Sequence, residues 1–224
     1  NFVIWLSPVG VFCLIFSTFS SLGISIIFTL INYFLIVVGV LVFHAVFTYS
    51  LLLTSLAKIN PLIFFIKMRE AIIFAFSTSS SSATMPVTLK TVEEKLGVDK
   101  SVSSFCIPLG TTINMDGTAI MQGVATVFIA QVYQVDLSMM EYLMVIITAT
   151  LASIGTAGVP GVGLIMLAMV LQQVGLPVEG IALIIGVDRL LDMLRTAVNV
   201  SGDATISCIV ANSENQLSRK GFIS

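Results

Sequence analysis

The chain has 224 residues, of which 57% are hydrophobic and only 10% are charged, and its mean hydropathy is +1.07. These values exclude an ordinary soluble domain and are typical of an integral membrane protein. The net charge of −2 provides no basic surface of the kind that binds nucleic acid, so we expect no nucleic-acid partner.

Two transmembrane helices, partly belonging to a scaffold, are predicted within residues 1–57, which contain no Asp, Glu, Lys or Arg. They run from about Phe2 to Ser20 and from about Ile26 to Leu53. At 1.5 Å per residue this stretch is long enough to cross a hydrocarbon core of about 30 Å twice. Its start has neither the basic region nor the cleavage site of a signal peptide, so we expect the chain to begin inside a longer protein.

A first helical hairpin is predicted over about residues 60–92, with the serine-rich run 77–82 at its tip. Its apolar arms, such as Ala71–Phe76, are shorter than the roughly 20 residues that span a bilayer. Lys and Arg flank both ends, which the positive-inside rule places on the cytoplasmic side. The hairpin is therefore expected to be re-entrant.

A helix over about residues 101–133 is predicted to be interrupted at 111–118, where Asn114 and Asp116 lie. Unwound carbonyls, an amide oxygen and a carboxylate close together suit a monovalent cation that needs several oxygen ligands. The alternative is a glycine-containing kink with one buried, hydrogen-bonded aspartate. We favour the cation site, because burying an unpaired carboxylate is costly.

A second hairpin is predicted over about residues 138–174. No charge occurs from Tyr142 to Val178, yet residues 155–161, rich in glycine, divide this stretch into two arms too short to span. Its flanks lack Lys and Arg, so this hairpin should enter from the outside. The last residues, 214–224, are expected to form a cytoplasmic tail.

The final predicted helix, over about residues 178–211, has a polar stripe on one face. At about 100° per residue, its members fall within an arc of roughly 80°. The stripe consists of Asp188, Asp192, Arg195, Asn199 and Asp203. A charge near the bilayer centre costs at least about 2.5–3.5 kcal/mol, so such residues usually face a solute or ion pathway.

These elements predict an all-α integral membrane fold built as an inverted repeat: hairpin and interrupted helix, then hairpin and polar helix. Broken segments at corresponding positions of two repeats indicate a transport site near the bilayer midplane. Irregular backbone at that depth is tolerated only where it is buried or lines a cavity. We therefore expect a transporter core.

Arg195 and Asp192 suggest the substrate. A guanidinium binds a carboxylate through two parallel hydrogen bonds, and Asp192, one turn earlier, can hold an ammonium group. Together they match an acidic amino acid, although an internal ion pair at i, i+3 that only neutralises the helix is the alternative. A nucleophilic serine at the first hairpin tip would need a base, and the only histidine, His44, lies in an uncharged helix, so we predict that the chain is not an enzyme.

Four segments resemble the glutamate/aspartate transporter family, the dicarboxylate/amino acid:cation symporters. They occur in the family's order over about two thirds of the chain. The segments are SSSATMP (residues 80–86), NMDGT (114–118), ASIGTAGVPG (152–161) and DMLRTAVNVSGD (192–203).

The resemblance implies a substrate site in which Arg195 binds the side-chain carboxylate and Asp192 the amino group. Asn199 and Ser81 would bind the α-carboxylate. The implied surrounding residues are Ser80, Thr118, Thr196, Val159 and Gly163.

It also implies sites for co-transported sodium ions. The first would comprise Gly110, Asn114, Asn199 and Asp203. The second would comprise Thr112, Met115 and the carbonyls of Ser153, Ile154 and Thr156. Asn114 and Asp116 would contribute to a third, whose other ligands belong to an earlier helix that this chain lacks.

Departures from the family refine these expectations. Ser79 and Met193 stand where many archaeal and animal relatives, respectively, carry an arginine, which changes the electrostatics beside the site. Gln122 replaces the glutamate of animal carriers and argues against proton cotransport and potassium countertransport. Asp203 favours sodium, since proton-coupled bacterial relatives tend to have asparagine there.

The family further implies a homotrimer in the plasma (inner) membrane, crossing it several times and held together by a missing N-terminal scaffold. Residues 58–213 would form a transport domain that moves as an elevator, with the second hairpin as outer gate. Sodium-coupled uptake of L-aspartate or L-glutamate is the expected function. A neutral amino acid or C4-dicarboxylate symporter, a proton-coupled variant and a substrate-gated anion channel remain alternatives.

Overall fold

The computed structural model describes residue 16 and residues 26–219. The expected first helix, about Phe2 to Ser20, lies outside the described residues except for Phe16, as does Lys220 in the tail. The described residues are almost entirely helical, and an isolated bridge between Val98 and Leu217 is their one extended pairing. The all-helical class is thus confirmed for this part of the chain, while re-entrance and the inverted repeat stay predictions.

The first described helix is continuous from Ile26 to Ala57. Helix α1 (Ile26–Phe43) passes through a π-helical turn (His44–Thr48) into α2 (Tyr49–Leu52) and a second π-helical turn (Leu53–Ala57). Residues 28–57 are long and apolar enough to cross a membrane. The run ends at Ala57, four residues beyond the expected end at about Leu53, and the next residue, Lys58, has a left-handed φ of 55°.

Helices α3 (Pro61–Thr78) and α4 (Ser81–Glu94) pack against each other as a hairpin. Asn60 caps α3 by accepting the Leu62 N–H, and proline at the first helical position is compatible with helix initiation. Helix α3, at 18 residues, is much longer than the apolar arm expected from the sequence. The charged residues in its middle have exposed or half-buried side chains, so these charges are compatible with a continuous helix: Lys67, Arg69 and Glu70.

The interrupted helix forms α5 (Lys100–Ile113) and α6 (Asp116–Val132). Only Asn114 and Met115 leave the helical conformation, a narrower break than residues 111–118. The break places Asp116 at the first turn of α6, where a carboxylate is favourable beside unpaired backbone N–H groups.

Helices α7 (Met139–Ile154) and α8 (Val162–Gln173) form the second packed pair. Ser138 and Glu141 form a reciprocal capping box at the start of α7. A short 3₁₀ turn, Val178–Gly180, then leads into α9 (Ile181–Ser213), which has 33 residues and is about 50 Å long.

Helix α9 organises the core because it packs against α1 to α6 and α8. One hydrophobic cluster joins its N-terminal half to α1, α6, α7 and α8, and a second joins its C-terminal half to α3, α4 and α5. The polar stripe of α9 faces inwards between these clusters: Asp188, Asp192, Arg195, Asn199 and Asp203 are all buried.

The segment after α9 returns to the loop between α4 and α5. Asp99 N–H donates to the Gln216 carbonyl at 3.0 Å, and Ser218 N–H donates to the Gly97 carbonyl at 2.8 Å. Asp99 also caps α5, and hydrogen bonds from the Ser101 hydroxyl and backbone N–H hold its pKa below the ordinary value. These contacts tie residues 214–219 to the end of the first hairpin.

Candidate functional site

The break between α5 and α6 lies against Asp203 of α9. Asn114 Nδ2 donates to Asp203 Oδ1 at 3.0 Å, and the Asp203 side chain is buried. A Cβ atom added to Gly110 would lie 2.5 Å from the same oxygen. The structure thus brings together three members of the first expected sodium site.

Asn199, the fourth member, lies one helical turn before Asp203 and contacts the start of α6. Its Oδ1 accepts the Gly117 N–H at 2.8 Å. Its Nδ2 lies 3.4 Å from both Thr118 Oγ1 and Met115 Sδ. Asn199 therefore connects the Asp203 region to the expected substrate site.

Arg195 lies between two carboxylates of its own helix and is only 1% exposed. Its Nη2 donates to Asp192 Oδ1 at 2.7 Å, so the internal ion pair considered from the sequence is present. Its Nη1 lies 3.3 Å from Asp188 Oδ1, without the alignment of a hydrogen bond. Within the described part of the chain, Nε and Nη1 have no hydrogen-bond partner, which leaves two donors for a carboxylate.

A cavity of about 20 Å³ lies beside this ion pair. It has room for about one water molecule. Seven expected substrate residues line it: Ser81, Thr118, Val159, Gly163, Asp192, Thr196 and Asn199. Arg195 lies behind them, with its Nη1 3.3 Å from the position of a Cβ on Gly163.

The tips of the two hairpins close this cavity. The Gly158 carbonyl accepts Ser82 N–H at 3.1 Å and Ser80 Oγ at 2.7 Å. A Cβ on Gly158 would lie 2.9 Å from Ser82 Oγ, so only glycine allows this approach without movement. Ser80 thus contacts the opposite hairpin, and Ser79, which we did not expect in the site, lines the cavity.

The second expected sodium site is only partly assembled. Met115 and Thr156 line the cavity, whereas Thr112 and Ile154 are exposed. The Ser153 carbonyl accepts the Thr156 N–H at 3.1 Å. These positions therefore stay a prediction.

Sequence reasoning missed two residues that contact Asp116. His44 Nε2 lies 2.7 Å from Asp116 Oδ2, and the Tyr49 hydroxyl donates to the same oxygen at 2.6 Å. The sequence feature that could have indicated this contact is the presence of a histidine and a tyrosine in an otherwise uncharged helix. Since His44 contacts Asp116, it does not provide the base that a nucleophilic serine at the first hairpin tip would need.

Comparison with known proteins identifies the family of the chain. The sequence profile of the sodium:dicarboxylate symporter family matches residues 1–213. An excitatory amino acid transporter of Caenorhabditis elegans is 45% identical over 210 residues, covering 93% of this chain and 42% of the relative. Excitatory amino acid transporter 1 of Homo sapiens is 44% identical over 211 residues, covering 93% and 39%, respectively.

The chain therefore spans about two fifths of the length of these relatives. The family and the relatives are transporters, which confirms the prediction that the chain is not an enzyme. The family resemblance is confirmed as well: the chain belongs to the sodium:dicarboxylate symporter family.

Proposed function

We propose that this chain forms the substrate- and cation-binding part of a sodium-coupled symporter for L-aspartate or L-glutamate. The observation that carries the proposal is the buried Arg195 guanidinium, in which two nitrogens, Nε and Nη1, have no hydrogen-bond partner among the described residues. Unsatisfied donors in a buried charged group are costly, and a bidentate carboxylate would satisfy both.

The neighbouring groups fit the rest of an acidic amino acid. Asp192 offers a carboxylate to the amino group, and its Oδ2 already accepts the Gly161 N–H at 3.1 Å from the second hairpin. Asn199 and Ser81, which line the same cavity, offer an amide and a hydroxyl to the α-carboxylate. The Nε and Nη1 atoms of Arg195 would bind the substrate carboxylate while Nη2 keeps its hydrogen bond to Asp192.

The charge of the polar core supports sodium coupling. Within the described residues, the polar core holds one buried arginine, Arg195, and four aspartates: Asp116, Asp188, Asp192 and Asp203. This is an excess of three negative charges when His44 is counted as neutral. An acidic amino acid adds one more. Because buried charge must be compensated, cations should enter with the substrate, and the oxygen atoms near Asp203 and Asp116 suit sodium.

The closed cavity supports a gate. A space of about 20 Å³ is too small for an amino acid, so the hairpin tips must separate at Gly158 to admit one. We place the outer gate in the second hairpin, α7 and α8. We further propose that residues 58–213 move as an elevator against a trimeric scaffold, in a multi-pass plasma-membrane protein whose two hairpins are re-entrant and whose repeats are inverted.

The test is uptake of radiolabelled L-aspartate by the full-length protein in proteoliposomes, with an inward sodium gradient, a proton gradient, or neither. Sodium-driven uptake that unlabelled aspartate and glutamate block supports the proposal. Uptake driven by protons alone would contradict the assignment of Asp203. Uptake restricted to C4-dicarboxylates would contradict the assignment of Asp192 to the amino group. Uptake restricted to neutral amino acids, or only an anion current, would assign Asp192 and Arg195 to a structural ion pair.

A further inference from the structure

Asp116 receives two hydrogen bonds on one oxygen from the helix that precedes the first hairpin. The His44 and Tyr49 contacts, at 2.7 and 2.6 Å, both end on Oδ2. A carboxylate oxygen can only accept, so Nε2 of His44 carries the proton in this contact. Hydrogen bonds to a charged acceptor are among the stronger ones in proteins, so the carboxylate is fixed in orientation.

The π-helical turn explains how both side chains reach the same oxygen. His44 and Tyr49 are five residues apart, and an α-helix would separate them by about 140° around its axis. In the turn His44–Thr48 the Tyr49 N–H instead donates to the His44 carbonyl, the i to i+5 pattern of a π-helix. The two rings then contact each other edge-on, with centroids 4.8 Å apart.

Tyr49 is held in place from the other side by α9. It is 2% exposed, and its hydroxyl lies 3.1 Å from the Val198 carbonyl, so its single proton is shared between that oxygen and the closer carboxylate. A Cβ on Gly202 would lie 2.7 Å from the hydroxyl oxygen and from Asn114 Nδ2. Glycine at this position is therefore what lets Tyr49 and Asn114 reach α9 together.

These contacts leave particular oxygens available. Asp116 Oδ1 accepts only the Gly117 N–H, at 3.0 Å, within the described residues. Asn114 donates its Nδ2 to Asp203, and its side-chain oxygen, an acceptor, has no hydrogen-bond partner among the described residues. Both oxygens belong to the break between α5 and α6.

We propose that His44 and Tyr49 are positioning residues for a sodium ion bound at Asp116: by holding Oδ2, they present Oδ1 to an ion that the Asn114 side-chain oxygen also binds. The inference rests on the proposed sodium-coupled function. It assigns to the helix of residues 26–57 a part in cation binding beyond that of a membrane span. Neither residue needs to touch the ion.

The test compares Tyr49→Phe and His44→Ala with Tyr33→Phe in the full-length protein. Tyr33 is the matched control, since it is a buried tyrosine of the same helix whose hydroxyl has no partner among the described residues. The readout is thermal stabilisation of the purified protein by sodium chloride over choline chloride, without amino acid. We expect Tyr49→Phe and His44→Ala to raise the half-saturating sodium concentration about tenfold, and Tyr33→Phe to leave it unchanged.

His44→Gln distinguishes positioning from a merely structural role, because the glutamine amide can donate a hydrogen bond from nearly the same place without an ionisable ring. The proposal is supported if His44→Ala lowers sodium affinity and His44→Gln restores it. Unchanged sodium affinity in both Tyr49→Phe and His44→Ala overturns it, even if the wild type takes up aspartate. If sodium stabilises the wild type and the Tyr49→Phe variant needs more sodium for the same stabilisation, the inference stands. This holds even if acidic amino acids prove not to be substrates.

Discussion

At the residue scale, Arg195 carries the assignment of an acidic substrate. Replacing it in Arg195→Cys leaves Asp188 and Asp192 without their shared counter-charge and removes the donors for a substrate carboxylate. Losing one partner of a buried charged pair typically costs about 2–5 kcal/mol, so we expect aspartate affinity to fall at least about thirtyfold. Competition binding in saturating sodium measures this.

Arg189→Cys is the matched control, because Arg189 is an exposed arginine of the same helix. It should leave aspartate affinity within about twofold of the wild type. If Arg195→Cys binds aspartate as tightly as Arg189→Cys does, the Asp192–Arg195 pair is structural and the substrate carboxylate binds elsewhere.

Gly110 is a second residue with a specific expectation. A Cβ there would lie 2.5 Å from Asp203 Oδ1 and 2.9 Å from its Cγ, so Gly110→Ala should displace the carboxylate and raise the half-saturating sodium concentration several-fold. Gly123→Ala is the control, since nothing lies within 4 Å of its Cβ position in α6. This second change should leave sodium affinity unchanged and stabilise the helix by up to about 1 kcal/mol. Equal sodium affinities in the two variants would place the ion away from Asp203.

Single residues also show which parts of the candidate site could be predicted from the sequence. Asp188, Asp192, Arg195 and Asn199 share a helical face by their spacing alone, and they are buried together. The pairing of His44 with Asp116 spans 72 residues, and no periodicity relates two such positions. A contact between helices this far apart along the chain is a tertiary property, which explains why it required the structure.

At the scale of elements, the contact between hairpin tips should control how fast substrate leaves. Ser80→Ala removes the hydroxyl that donates to the Gly158 carbonyl and also accepts the Ala83 N–H as the cap of α4. Each such bond contributes about 1 kcal/mol. We expect release of bound radiolabelled aspartate to become roughly fivefold faster, as followed by dilution into excess unlabelled aspartate.

Two further variants are controls for the release measurement. Ser80→Thr keeps the hydroxyl and should release aspartate at close to the wild-type rate. Ser77→Ala removes an exposed serine that bonds only within its own helix, and it should have no effect. Wild-type release from Ser80→Ala would mean that the tips do not hold the site closed.

The elements themselves were partly predictable. Apolar length and turn residues indicated helices separated near residues 79, 114 and 155–161, and the structure breaks its helices at these places. The predicted apolar arm is shorter than α3, because the sequence pattern places the charged residues before it outside the helix. These residues are part of α3, and their side chains are exposed or half-buried. The π-helical turns in residues 26–57 have no sequence signal that distinguishes them from α-helix.

At the scale of the whole molecule, charge in the polar core determines how the ions and the substrate depend on one another. Within the described residues the polar core contains four buried or half-buried aspartates and one buried arginine, and an acidic amino acid adds to this negative charge. We therefore expect aspartate affinity to rise more than tenfold for each tenfold rise in sodium, which requires more than one ion per substrate. Equilibrium binding at several sodium concentrations measures the slope, with choline chloride keeping the ionic strength constant so that general screening does not contribute. A slope near zero would mean that the excess carboxylates are neutralised by protons instead. In that case aspartate affinity should depend on pH but not on the sodium concentration, which the same titration at a second pH would show.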